Sequence, residues 1–344
     1  MPPLNKNIKL VLNYVVGPLV FCLLIFSIYK QINAQTNWND SLHKMLEALK
    51  TRAGWKLYAV VALMIANWGI EAKKWQIVVS RVQPISWWQS FQATLTGTTL
   101  AFFTPNRMGE YVGRVLYIEE GNRIKAASLT LVSSLAQLLV TLFLGVLGIW
   151  ILLSDSIKPG VSLPEGAIWV DLVGYGALAV TAFLTLLYFR FSWIIRWVEK
   201  IPRLDKYSDY LRVLDNFNAT TLGQLLSLSL LRYLIFVWQY YWLFKVFDVG
   251  LSGWQVFWSM SVVFLFLAII PTIALITELG VRWKTSIAVI QLFSTNLVGI
   301  LATSLSIWVI NLVIPALLGS LLILNIRMFR NKKREKEEET NRKN

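Results

Sequence analysis

One stretch of the chain, residues 126–154, contains no ionisable side chain. A helix of about 20 apolar residues crosses the roughly 30 Å hydrocarbon core of a bilayer, so this run predicts a transmembrane helix. Further apolar runs occupy residues 10–29, 173–189, 220–231 and 287–326. Hydrophobic residues make up 56% of the chain and charged residues 15%, against roughly 45–50% and about 25% in soluble domains. We therefore predict an all-α polytopic membrane protein.

Lysine and arginine are distributed unevenly between the segments that flank these runs. Twenty-three fall on one side of the predicted membrane and five on the other. Because such an excess marks cytoplasmic segments, we predict a protein integral to the cytoplasmic (inner) membrane with both termini in the cytoplasm. The basic residues behind the net charge of +14 would then orient the protein and attract anionic lipids. We therefore expect no nucleic-acid partner.

The two halves of the chain show the same order of features: helix, amphipathic linker, helix, broken apolar segment, helix. The halves cover about residues 10–153 and 168–326, between an N-terminal segment at 1–9 and a charged cytoplasmic tail at 327–344. Inverted repeats with interrupted helices are a recurring plan of secondary transporters, and the interruptions mark the binding site. We predict one transmembrane domain over residues 10–326, built as an inverted repeat.

Two topologies fit this pattern of six to eight transmembrane helices. In the first, six helices span the membrane and two Pro-broken segments are re-entrant hairpins. In the second, eight helices span it, with residues 255–274 crossing fully and the last run dividing near Thr303. The charge counts do not separate these topologies, because both leave the tail inside.

The first broken segment, residues 102–118, brings a proline and charges into an apolar region. Thr104 is a good N-cap and Pro105 a good first-turn residue, so the pattern predicts a helix that begins there. Gly109 and Gly113 would let another backbone or a head group come close.

A helix beginning at that point would place Arg107, Glu110 and Arg114 on one face, at spacings of three and four. Oppositely charged residues at i and i+4 can partly neutralise each other. This arrangement predicts a Glu110–Arg114 ion pair.

The second broken segment repeats this chemistry. Pro271 and Thr272 interrupt the apolar run, and Glu278 and Arg282 again stand at i and i+4 with Gly280 between them. A charge at mid-membrane costs roughly 2.5–3.5 kcal/mol on insertion scales, so such pairs are expected to face each other or a wet cavity. We predict a groove that binds an anionic lipid head group; the alternative is that the pairs are structural locks or stop-transfer flanks.

Two further groups of charges lie within predicted helices. Arg232 lies deep in the helix at 220–246 and needs a partner, for which Glu71 is a candidate. Lys73 and Lys74 with Trp75, by contrast, are typical of a basic, aromatic interfacial anchor.

The string that carries Pro105, Arg107, Gly109, Glu110 and Arg114 resembles the Pro-x-Arg-x-Gly-Glu-x-x-x-Arg signature of the lysylphosphatidylglycerol synthase/flippase transmembrane-domain family. All five positions agree with that signature. They also follow a broken apolar segment, as in the family.

The second segment resembles the second signature of this family, a Pro-led loop that ends in Gly-x-Gly-x-Arg-Glu. Gly280 and Arg282 fit it. Thr277 and Glu278 stand where the family usually has a glycine pair, and Trp283 replaces the acid after the arginine. These departures bear on the substrate more than on the fold.

The resemblance covers about residues 10–326 and implies a flippase-like bacterial membrane protein that moves a phospholipid or related lipid between leaflets. Because only 18 residues follow residue 326, we expect translocation without lipid synthesis. We accordingly expect no catalytic residues, no cofactor and no metal, anionic lipid head groups as ligands, and a separate lipid-modifying enzyme as a candidate partner.

Two other functions stay open. One is an intramembrane transferase acting on a lipid or lipid-linked sugar, and the other is an accessory subunit in envelope lipid assembly. The chain has one histidine and one cysteine, which makes zinc chemistry and Cys-His catalysis poor explanations.

Overall fold

The computed structural model describes five stretches of the chain and two isolated positions. These are residues 54–104, 107–156, 167–190, 217–270 and 274–323, with Phe26 and Glu47. Several predictions lie outside the described residues: the first helix at 10–29, the charged tail, and the site residues Pro105, Pro271 and Thr272.

The described part of the chain is helical throughout its regular structure, as the sequence predicted. Its nine α-helices are α1 (Gly54–Val79), α2 (Trp87–Ala101), α3 (Gly109–Val115), α4 (Arg123–Ser156), α5 (Ala167–Phe189), α6 (Ala219–Val246), α7 (Gly253–Ile269), α8 (Ala274–Ile290) and α9 (Leu297–Ile323). A 3₁₀ turn at Glu120–Asn122 precedes α4, and a π-helical turn at Val309–Val313 lies within α9.

Three described helices are long and apolar enough to cross a membrane: Glu120–Leu152, Ala219–Val246 and Leu297–Ile323. The protein is therefore an all-α polytopic membrane protein. The last helix is continuous through Thr303, so the predicted division at that point is wrong. The chain breaks earlier, at residues 291–296, because the Asn296 side chain accepts a hydrogen bond from the Gly299 N–H (2.9 Å) and caps α9.

Helices α2 and α3 form an antiparallel hairpin that depends on glycine. A Cβ atom on Gly113 would lie 2.5 Å from the Gly97 Cα, and one on Gly109 would overlap the Leu100 carbonyl. With 15 residues, α2 is about 22 Å long, shorter than a bilayer core of roughly 30 Å. The predicted re-entrant course of this hairpin is compatible with that length and stays a prediction.

Each half of the chain packs a hairpin helix against the last helix of the other half. A Cβ on Gly319 of α9 would overlap the Leu95 carbonyl of α2. Likewise, a Cβ on Gly145 of α4 would lie 2.5 Å from the Leu265 Cβ of α7. Small residues let helix backbones approach closely in membranes. Helices α7 and α8 also pack against each other, as the second hairpin. Through these crossed contacts, each hairpin packs against a helix of the other half.

We expect Gly113→Ala to lower the thermal unfolding temperature of the purified protein in detergent. The added methyl meets the backbone of α2, and overpacking costs about 1–3 kcal/mol. The control is Gly223→Ala in α6, where a Cβ meets nothing within 4 Å and alanine favours the helix. Equal unfolding temperatures for the two variants would contradict the close approach of α2 and α3.

Candidate functional site

A cavity of about 390 Å³ lies between the helices. Both broken segments contribute to its wall: Arg107 and Glu110 come from the first, and Glu278 and Arg282 from the second. The structure therefore brings the two charged motifs, far apart in sequence, to one cavity. The charged lining residues are Glu71, Lys74, Arg107, Glu110, Arg232, Glu278 and Arg282.

The Glu71 carboxylate is the centre of the charged network beside this cavity. Its Oε1 accepts a hydrogen bond from an Arg114 guanidinium nitrogen (2.7 Å). Its Oε2 pairs with Arg232 and with the Lys74 ammonium, the latter at 3.4 Å. One buried carboxylate thus connects α1, α3 and α6, and the prediction that Glu71 is the partner of Arg232 is confirmed.

The guanidinium of Arg232 has further partners on two helices. Its Nε donates to the Asn67 Oδ1 (2.8 Å), and its NH1 lies 3.5 Å from the Gln137 Oε1. The guanidinium carbon is also 6.0 Å from the centre of the Trp68 ring, within the range of a cation–π interaction. Arg232 is therefore held in one orientation, with its positive charge at the cavity.

The prediction that Lys73, Lys74 and Trp75 form an anchor at the membrane interface is wrong for Lys74 and Trp75, whereas Lys73 is exposed. The Lys74 and Trp75 side chains are fully buried, and the Trp75 indole N–H donates to the Thr130 hydroxyl (3.1 Å). The signal that could have shown this is the spacing of Asn67, Glu71 and Lys74. Steps of four and three place these polar residues on one face of α1, facing the protein.

Helix α3 begins at Gly109 and not directly after Thr104, so the predicted start is wrong. The Gly109 N–H donates to the Thr104 hydroxyl (2.6 Å), and a Cβ on Gly109 would overlap the Leu100 carbonyl. Arg107 lies before the helix with φ of 59°, in the left-handed region.

The two arginines of this segment differ in how exposed and how strongly paired their side chains are. Arg114 is buried, with 1% of its side chain exposed, and pairs with both Glu110 and Glu71. Arg107 lies 3.7 Å from Glu110, and 40% of its side chain is exposed. The predicted Glu110–Arg114 pair is confirmed, and it is a structural contact. Arg107 is the arginine left available to a ligand.

The second broken segment also holds its predicted ion pair. The Arg282 guanidinium donates to the Glu278 carboxylate (2.9 Å) and to the Tyr240 hydroxyl (3.0 Å). A Cβ on Gly280 would meet no atom within 4 Å, so this glycine is not needed for contact with a described neighbour. Arg282 is thus oriented at the cavity by α6 and α8 together.

The sequence analysis did not predict that Trp308 and Asn311, which carry uncharged polar groups, line the cavity. Trp308 and Asn311 lie at the π-helical turn of α9 and line the cavity. The turn precedes Pro315, which has no N–H to donate to the Asn311 carbonyl four residues earlier. A proline four residues after an asparagine in an apolar run is the signal that could have identified this irregularity, since π turns are frequent at functional sites.

These features define a helical membrane protein with a charged cavity lined by residues of both broken segments. The sequence model of the family described as lysylphosphatidylglycerol synthase TM region matches residues 14–319, and the chain belongs to this family. The resemblance found in the sequence is confirmed. Comparisons with curated proteins and with solved structures give no match.

We expect Glu71→Gln to destabilise the protein strongly. Three cations would lose their shared carboxylate, and leaving a buried charge unpaired costs about 3–5 kcal/mol. Thermal unfolding in detergent measures the loss. The matched control is Glu120→Gln, which removes an exposed pair with Arg123 and should change stability by about 1 kcal/mol or less. Similar losses in both variants would contradict the central role of Glu71.

Proposed function

We propose that this protein moves a phospholipid, or another anionic or zwitterionic lipid, between the leaflets of the membrane. The polar head group would pass through the cavity between the two charged hairpins while the acyl chains stay in the lipid. The single observation that carries this proposal is that Arg107 and Arg282 line the same cavity.

The energetic cost of the site supports a ligand-binding role. Charges at mid-membrane are expensive and generally mark substrate pathways. The cavity, at about 390 Å³, falls in the range of roughly 300–1,000 Å³ that is usual for small-molecule sites. Arginine forks suit the oxygens of a phosphate group. The family assignment supports a lipid-related role, and its transmembrane region is compatible with a protein that is not an enzyme.

The proposed orientation keeps both termini in the cytoplasm and the protein in the inner membrane. Lys74, Arg107 and Arg114 lie inside the protein or at the cavity, so they do not count as loop charges. Without these three, 20 basic residues lie on the proposed cytoplasmic side and five on the opposite side. The bias therefore keeps the same direction. A separate enzyme that modifies the transported lipid is the proposed partner.

We expect purified protein in vesicles to accelerate the exchange of a labelled anionic lipid between leaflets. Arg107→Ala and Arg282→Ala should each slow exchange about tenfold or more, because each removes a charge-assisted hydrogen bond worth roughly 1.5–3 kcal/mol. Arg123→Ala, outside the cavity lining, should leave the rate unchanged. Unchanged exchange rates in both cavity variants would contradict the proposal that the head group passes through this cavity.

A glycine at position 107 separates the function of this residue from its contribution to folding. Arg107 has φ of 59°, and a left-handed backbone costs a non-glycine residue about 1–2 kcal/mol. Arg107→Gly should therefore unfold at the same temperature as the parent protein or higher, yet exchange lipid as slowly as Arg107→Ala. A glycine variant with normal exchange would show that the guanidinium has no role in transport.

A further inference from the structure

The charges around the cavity do not cancel. Among the described lining residues, four are cationic and three are acidic. Arg114, which is buried and does not line the cavity, pairs with Glu71 and Glu110. It is a fifth cation and brings no further carboxylate. Counting Arg114, this cluster of eight side chains has an excess of two positive charges.

The excess is concentrated at the first hairpin. Glu71 pairs with Lys74, Arg114 and Arg232, and Glu110 pairs with Arg107 and Arg114, whereas Arg282 has its own carboxylate in Glu278. Two carboxylates, Glu71 and Glu110, therefore stand against four cations on α1, α3, α6 and the turn before α3. Buried charge of one sign is unfavourable unless a counter-charge accompanies it.

The same cavity has hydrogen-bond donors that no described residue uses. These are the indole N–H groups of Trp68 and Trp308, the Ser133 hydroxyl and the Nε of Arg282. Trp68, Trp308 and Ser133 are each more than nine-tenths buried, and all four side chains line the cavity. Buried donors are normally satisfied, and in this wall the four unused donors outnumber the one unused buried side-chain acceptor, the Asn311 Oδ1, which favours a ligand rich in acceptor oxygens.

We infer that the cavity selects a lipid phosphomonoester, whose head group is a terminal phosphate. Such a phosphate carries about −1.5 to −2 charges near pH 7 and three strong acceptor oxygens, which match both the charge excess and the unused donors. A phosphodiester lipid with an uncharged alcohol brings one negative charge, a zwitterionic lipid no net charge, and a phosphodiester lipid esterified with lysine one net positive charge. This inference rests on the proposed function for the lipid's movement, but its binding test does not.

The test compares lipids with identical acyl chains in detergent micelles: a phosphomonoester, a phosphodiester with an uncharged alcohol, and a zwitterion. Thermal stabilisation of the full-length protein is measured against lipid concentration. We expect the phosphomonoester to reach half-maximal stabilisation at about one tenth of the phosphodiester concentration, since one additional close charge pair separates the two. Equal concentrations, or a preference for the zwitterion, would overturn the inference.

Two substitutions shift the charge excess in opposite directions. Arg107→Gln lowers it by one and should reduce the preference for the phosphomonoester, while Glu278→Gln raises it by one and should increase that preference. Arg123→Gln is the control and should leave the preference unchanged. Two cavity variants with the same preference as the parent would also overturn the inference, even if both bind lipid.

Inorganic phosphate distinguishes a lipid from a free anion. If phosphate alone stabilises the protein as well as the phosphomonoester at equal concentration, the site binds a soluble anion and the lipid inference is wrong. Leaflet exchange of the same three lipids is measured separately. Selective binding without exchange contradicts the proposed transport and leaves the inference standing, whereas exchange without selectivity contradicts the inference and leaves transport standing.

Discussion

The carboxylate of Glu71 is the interaction on which the described helices depend most. It is buried in α1 and meets cations from α1, α3 and α6, so one side chain connects the first hairpin to a helix of the second half. In a medium without water such a carboxylate is hard to replace, because Lys74 and Arg232 would otherwise be buried with no carboxylate partner among the described residues. The position of Arg232, and with it one wall of the cavity, follows from this contact.

The second constraint is glycine, because the helices that carry the charged side chains of the cavity pack closely only where their backbones have no Cβ between them. Gly97 and Gly113 allow α2 and α3 to touch, and Gly319 brings α9 against α2. Together with Gly145 on α4, these contacts draw both hairpins inward. The consequence is a cavity whose wall contains arginines from two distant segments of the chain.

Much of this arrangement could be predicted from sequence, and the exceptions have physical causes. The apolar run at 126–154 predicted α4, and the i, i+4 spacing predicted the Glu110–Arg114 pair, because both depend on local periodicity. The burial of Lys74 depends on the packing of α1 against α2, α4 and α6, which lie further along the chain and which local pattern does not reveal. The left-handed conformation of Arg107 lies before the regular helix, where periodicity predicts nothing.

The central claim is that the two charged hairpins face one another across a single cavity. Paired cysteines at positions 107 and 282, in a chain whose sole cysteine, Cys22, is replaced by serine, test it in native membranes with a short bifunctional thiol reagent. The control pair uses positions 107 and 245, since Lys245 lies 13 residues along α6 from Arg232, about 20 Å away. We predict an intramolecular crosslink for the first pair and none for the control; full single labelling of 107 and 282 without a crosslink would contradict the account.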